Sequence, residues 1–187
     1  MTLRRLVALD LEPTGFNVYR DRIVEFCFIE LDADLCELGR WTRRVNPGVP
    51  IPAAATAVHG IRDADVVHLP TLESHAARIQ GLLDGATVIA YNADFDLMVL
   101  HHELRRCGQA GFAVNHPRRD PYRIYRAEVP DQYRLTGAVR HYLGRPHVGA
   151  HGTEADALAT VDVYRAQIGA RLCREVNLST PLSPSGV

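Results

Sequence analysis

A single mixed β-sheet with helices packed on its faces, an α/β fold, is what this sequence of 187 residues predicts. Three observations carry that expectation. Residues 6–9, 22–31 and 36–45 read as strands, the last two joined by the short Asp32-Ala33-Asp34 turn of an antiparallel hairpin. After them the pattern alternates between helix and strand. No internal repeat or low-complexity linker divides the chain, so one domain over residues 1–176 is expected.

Taken in order, residues 6–9 are a short buried strand, and residues 22–31 alternate Ile23, Val24, Phe26, Phe28, Ile29 and Leu31. A proline-rich irregular stretch covers residues 46–52. Thr71 opens a helix with Leu72, Ala76, Ile79 and Leu83 on one face. Residues 87–91 form a β-branched strand, and Asn92 stands where it can cap the next helix. That helix presents Phe95, Leu97, Leu100 and Leu104 and ends at Gly108 and Gly111. Residues 134–143 form another helix closed by Gly144. The last helix covers about 153–176, with Ala155, Leu158, Val161, Ile168 and Leu172 on its inner face. Thr153 and Asp156 at its start resemble a capping box. Residues 177–187, rich in serine, threonine and proline, are expected to be a disordered tail.

Composition excludes several classes. At 47% hydrophobic residues the chain can bury a sizeable core, yet no run of eighteen apolar residues exists to span a membrane. Only a short strand precedes Asp10, too little for a secretory signal, and the four cysteines are scattered. Free thiols in a cytoplasmic protein are the expectation. Net charge is −1, but residues 105–145 carry nine arginines against three acids. A basic segment beside an acidic pocket suits a polyanionic substrate.

Three segments carry chemistry: Asp10 and Glu12 before Pro13-Thr14-Gly15, Asp96 at the end of Tyr91-Asn92-Ala93-Asp94-Phe95-Asp96, and His151 with Asp156. Each carboxylate lies beside an apolar run, where an unpaired charge is costly. On a strand, Asp10 and Glu12 project from the same face and repel unless a cation sits between them. Oxygen ligands suit Mg²⁺ or Mn²⁺. His151 lies in a loop at a helix start, and histidine is the side-chain type suited to taking a proton at neutral pH.

In this order and spacing the segments resemble the DEDDh 3′–5′ exonucleases, the family of the proofreading epsilon subunit of bacterial replicative polymerases. Asp10, Glu12, Thr14 and Gly15 match its first motif. Asn92, Ala93, Phe95 and Asp96 match the second, and His151 and Asp156 the third. Asn46-Pro47, Ile51-Pro52 and Val58-His59-Gly60-Ile61 resemble the family's loop beside the terminal nucleotide. Tyr91 and Pro13 depart from the pattern, although neither position is a metal ligand in the family.

The resemblance implies an RNase H-like five-stranded sheet, an antiparallel meander followed by parallel strands. It also implies hydrolysis at a DNA 3′ end by two divalent ions, releasing 5′-nucleotides. Asp10, Glu12 and Asp156 would hold one ion, Asp10 would share the second, and Asp96 would complete the site. His151 would be the general base. Thr14, Gly15, Phe16, His59, Asn92 and Phe95 would contact substrate, a single-stranded or frayed 3′ end, with a DNA polymerase as a possible partner. Two alternatives stay open: the same chemistry on RNA, and a non-catalytic module that binds nucleic acid or docks on a polymerase.

Overall fold

A computed structural model describes residues 5–109 and 116–179, with side chains as far as Arg171. Its sheet has five strands in the order β3-β2-β1-β4-β5. β1 (Leu6–Pro13), β2 (Ile23–Leu31) and β3 (Glu37–Arg44) form the antiparallel meander. β4 (Thr87–Ile89) and β5 (Arg118–Arg119) run parallel to β1 beyond it. The expected five-stranded mixed sheet is therefore present.

Period-two alternation along β1 sorts its side chains between two cores. Val7, Leu9 and Leu11 pack with Phe26, Phe28, Ile79, Leu97 and Leu100, under α3 (Glu73–Leu83) and α4 (Ala93–Arg106). Ala8 faces the other way, onto Cys27, Ile29, Ile89 and residues Ala157 and Val161 of α7 (Thr153–Ser179). Asp10 and Glu12 continue the Ala8 row and so face α7. Truncating a fully buried leucine such as Leu97 to alanine would cost about 2–5 kcal/mol.

Two smaller clusters flank the sheet. α1 (Ala53–His59), α2 (Asp63–Val66) and the turn between them pack Ala55, Val66 and Ile61 on Val24. α5 (Pro121–Glu128) and α6 (Leu135–Leu143) bring Tyr125, Ala138 and Val139 against Ala159 and Val163 of α7. The sequence pattern does not announce α1, α2, β5 or α5, because none is long enough to establish a periodicity.

Two capping expectations are corrected. Asn92 occupies the cap position of α4 in a left-handed conformation (φ 66°), but its side chain makes no capping bond. Asp120 does that work: its Oδ1 accepts from the Asn92 N–H at 3.0 Å and its Oδ2 from the Ala93 N–H at 3.2 Å. The Thr153/Asp156 capping box does not form either: the Asp156 N–H bonds the Gly152 carbonyl, the Asp156 carboxylate is taken by His147 and the His151 N–H, and the Thr153 hydroxyl donates to Glu25 Oε2 at 2.9 Å.

Boundaries shift modestly. α3 begins at Glu73 rather than Thr71, and β4 stops at Ile89, before the turn at Asn92. α7 reaches Ser179, three residues past the expected end. Gly111, the Leu172 side chain and residues 180–187 lie outside what is described. Gly108, at φ 78°, follows the end of α4, and Gly144, at φ 65°, closes α6 as expected. Among the described residues no helix is long and apolar enough to cross a membrane, and Cys27, Cys36 and Cys107 are free thiols.

Candidate active site

β1 delivers Asp10 and Glu12 to the α7 face, and the first turn of α7 delivers Asp156 to the same place. One carboxylate oxygen from each lies within 4.8 Å of the other two. Asp96, in the first turn of α4, is 5% exposed and adds its field to Asp10. The four carboxylates therefore converge from three elements. Its neighbour Asp94 turns away and ion-pairs with Arg118 and Arg123.

Electrostatics identify what the cluster lacks. Burial, then the Asp96, Asp156 and Glu12 charges, pushes Asp10 well above the ordinary carboxylate range. Burial, then Asp156 and Glu25, pushes Glu12 up to about 8. Asp96 is raised by burial and Asp120, although a hydrogen bond from the Leu11 backbone opposes the shift. A divalent cation would remove these penalties, and an all-oxygen donor set is the chemistry that magnesium or manganese takes. The residues present fit such an ion.

The surroundings hold this geometry. Asp156 Oδ1 is hydrogen-bonded to His147 Nε2 at 2.5 Å, and its Oδ2 accepts from the His151 N–H at 3.2 Å. The His147 side chain is only 3% exposed, whereas His151 is exposed, with φ 67°. Glu25 stands opposite Glu12 across the β1–β2 ladder. It accepts from Thr153 and from Arg44 Nε at 2.8 Å, joining β2 and β3 to the start of α7. Glu154 adds a bond from Thr42 and an ion pair with Arg40. Sequence reasoning missed His147 and Glu25. Counting the hairpin register would have found Glu25, but no local signal marks His147.

A small cavity of about 140 Å³ adjoins Glu12, lined by Thr14, Gly15, Phe16, Ala55, Val58 and His59 among others. Phe16 is 85% exposed, not a core residue, and its ring lies 6.1 Å from that of the half-buried Phe95. Thr14 is buried; its hydroxyl donates to Asp21 Oδ1 and accepts from the Arg22 N–H. A Cβ at Gly15 would meet Asp21 Oδ2 at 2.5 Å, so any other residue here would have to displace the Asp21 side chain that bonds Thr14. His59 Nδ1 accepts the Ile61 N–H at 3.0 Å, so the ring proton sits on Nε2. That Nε2 is buried without a partner among the described residues. Asn92 is exposed at the start of α4.

Behind the β1–β2 loop, Glu103, at 1% exposed, binds Arg22 Nε and Arg106 Nη1, each at 2.5 Å. Arg106 also donates to the Tyr19 carbonyl. This triad, built on the buried Glu103, fastens the loop carrying Phe16 to α4.

Residues 7–164 match the model of a protein family described as Exonuclease. An epsilon-like protein of DNA polymerase III from Rhodobacter capsulatus is 38% identical over 99 residues, 52% of this chain and 14% of its own length. The DNA polymerase III epsilon subunit of Treponema pallidum is 27% identical over 165 residues, 86% of this chain and 75% of its own. Among solved structures, exonuclease I of E. coli bound to single-stranded DNA superposes with a TM-score of 0.75 at 20% identity. That match covers 95% of this chain and 43% of the other. Exonuclease I from Methylocaldum szegediense gives a TM-score of 0.74 at 25% identity, covering 94% and 42%. The chain thus spans less than half the length of the exonuclease I structures and a small fraction of the Rhodobacter relative.

Proposed function

This chain belongs to the exonuclease family, and from that premise we propose that it removes 5′-nucleotides from the 3′ end of single-stranded or frayed DNA by metal-dependent hydrolysis. The observation that carries the reading is the convergence of Asp10, Glu12 and Asp156 to within 4.8 Å, with Asp96 beside them. In this reading Asp10, Glu12 and Asp156 hold one divalent ion, Asp10 shares a second, and Asp96 completes the site. Bound there, Mg²⁺ or Mn²⁺ supplies an acidified water and neutralises charge on the leaving oxygen.

The remaining work falls to the protein. His147 and the His151 N–H hold the Asp156 carboxylate, while the exposed His151 ring is free to take a proton from the attacking water. The cavity beside Glu12 receives the terminal nucleotide. Phe16 stacks on a base, an interaction indifferent to sequence, and the proton of His59 Nε2 is donated to a sugar or phosphate oxygen. The triad centred on the buried Glu103 keeps Phe16 in register with that cavity.

Labelled DNA and RNA oligonucleotides of one sequence, incubated with Mg²⁺ or Mn²⁺, test this directly. Stepwise shortening of DNA from the 3′ end is expected. Faster loss of RNA would replace the substrate, and no shortening of either polymer would overturn the enzymatic reading in favour of a binding module.

A further inference from the structure

A second cavity, of about 370 Å³, opens between β5, α5 and the later turns of α7. Arg118, Arg119, Arg123 and Arg171 line it. Arg118 and Arg123 share Asp94, and Arg123 Nε also lies 3.7 Å from Asp120 Oδ2, so two carboxylates balance these two arginines. Asp120, also in the lining, accepts backbone N–H groups of Asn92, Ala93 and Tyr122. Arg119 and Arg171 are exposed and have no acidic partner among the described residues. An arginine on a short edge strand discourages strand pairing, which accounts for Arg119 alone. It does not account for Arg171.

Gln167 supplies an independent observation. It is 2% exposed, and its Nε2 donates to the Pro121 carbonyl at 3.0 Å. That bond fixes the amide orientation, so Oε1 is an acceptor, and it is buried without a donor among the described residues. A ligand matching this lining brings anionic oxygens for two guanidinium groups and one N–H or O–H for Gln167. A nucleotide within a strand carries both, a phosphodiester and a base or sugar donor.

We propose that this cavity is a second subsite for single-stranded nucleic acid, holding a nucleotide upstream of the 3′ end. The inference rests on the exonuclease reading. Arg119 pairs in register with Ile89, whose side chain packs on α7, so the subsite lies on the same sheet face as Asp10 and Glu12. Gln167 follows Asp156 by eleven residues of α7, about 16 Å along the helix axis. A nucleotide there cannot be the one whose bond is being cut.

The test measures anisotropy of a labelled dodecamer, with Ca²⁺ in place of the catalytic ion, alongside Mg²⁺-dependent hydrolysis of a dinucleotide. Arg119→Glu with Arg171→Glu should weaken dodecamer binding about tenfold or more and reduce the salt slope by about 1.4. Dinucleotide turnover should stay within about twofold of wild type. Gln167→Leu should weaken the dodecamer while leaving the salt slope unchanged, since no charge is removed.

Wild-type dodecamer binding by an active double variant would overturn the subsite and leave the exonuclease reading standing. Arginine-dependent binding by a wild-type protein that hydrolyses nothing would do the reverse. Tighter binding of a hexa-aspartate peptide than of the dodecamer, lost in the double variant, would overturn the proposal in favour of an acidic protein partner.

Discussion

The His147 imidazole and the Asp156 carboxylate are hydrogen-bonded on the buried side of the acidic cluster, Nε2 to Oδ1 at 2.5 Å. With the second oxygen held by the His151 N–H, the carboxylate cannot swing freely. The two histidines thus take different parts. One ring is committed to the Asp156 carboxylate, and the other is left to solvent.

Their substitutions should separate accordingly. His147→Ala is expected to weaken Mn²⁺ binding about 10–100-fold by titration calorimetry, the usual consequence of removing a partner from a ligating carboxylate. His151→Ala should leave Mn²⁺ affinity near wild type while lowering kcat about 10²–10⁴-fold. Equal loss of metal affinity in both variants would refute the division of roles.

Stability without metal should fall as pH rises. Asp10 and Glu12 have folded-state pKa values above the ordinary carboxylate range, about 8 for Glu12. Between the unfolded and folded values the native state binds more protons, so its advantage is complete below the unfolded value of 4.5 and disappears through about 8. Melting curves of EDTA-treated protein should show Tm declining across that window. Added Mg²⁺ should recover most at its alkaline end.

Removing the charge should have the matching effect. Asp10→Asn is expected to raise the Tm of the metal-free protein by roughly 2–8 °C near pH 8, because it removes the cost of burying an ionisable carboxyl, to which the Asp96, Asp156 and Glu12 charges add. Hydrolysis should drop by orders of magnitude in the same variant. A gain in stability with loss of activity distinguishes a functional carboxylate from a structural one.

The start of α4 depends on Asp120 rather than on Asn92. Asp120→Ala should cost about 1–2 kcal/mol in urea denaturation, since it strands the Asn92, Ala93 and Tyr122 N–H groups. Asn92→Gly should be nearly neutral, because the position is left-handed and its side chain caps nothing.

Glu103→Ala removes the carboxylate that Arg22 and Arg106 share; because both guanidinium groups reach solvent, the change should cost about 1–3 kcal/mol. Glu103→Gln, which keeps one acceptor, should cost less. If the triad fixes the Phe16 loop, either change should raise KM for short oligonucleotides more than it lowers kcat.

The acidic cluster and the sheet were legible for a shared reason. Asp10 and Glu12 sit at the end of an apolar run, Asp96 and Asp156 open helices with clear inner faces, and alternation along β1 forecasts which way the pair projects. Their supports were not legible, because they are contacts between distant parts of the chain. Asp120 caps a helix that starts 27 residues earlier, and Glu25 reaches Thr153 across 128 residues. Asn92 looked like a cap by residue type, yet its left-handed backbone turns the side chain out of use. α1 and α2 escaped notice because Ala55, Ile61 and Val66 acquire a hydrophobic partner only when Val24 is folded beneath them.

The alternation of β1 has a consequence for evolution. Leu9 and Leu11 fill the interior beneath α4 while Asp10 and Glu12 face the opposite way, so both sets are indexed by a single pleat. Inserting or deleting one residue in this strand would exchange them, driving two carboxylates into hydrocarbon and two leucines toward Asp156. Such a chain would fail to fold before it could fail to cut. Selection for a sound interior therefore screens catalytic competence at no additional cost, and inactive yet well-folded descendants must arise by point substitution.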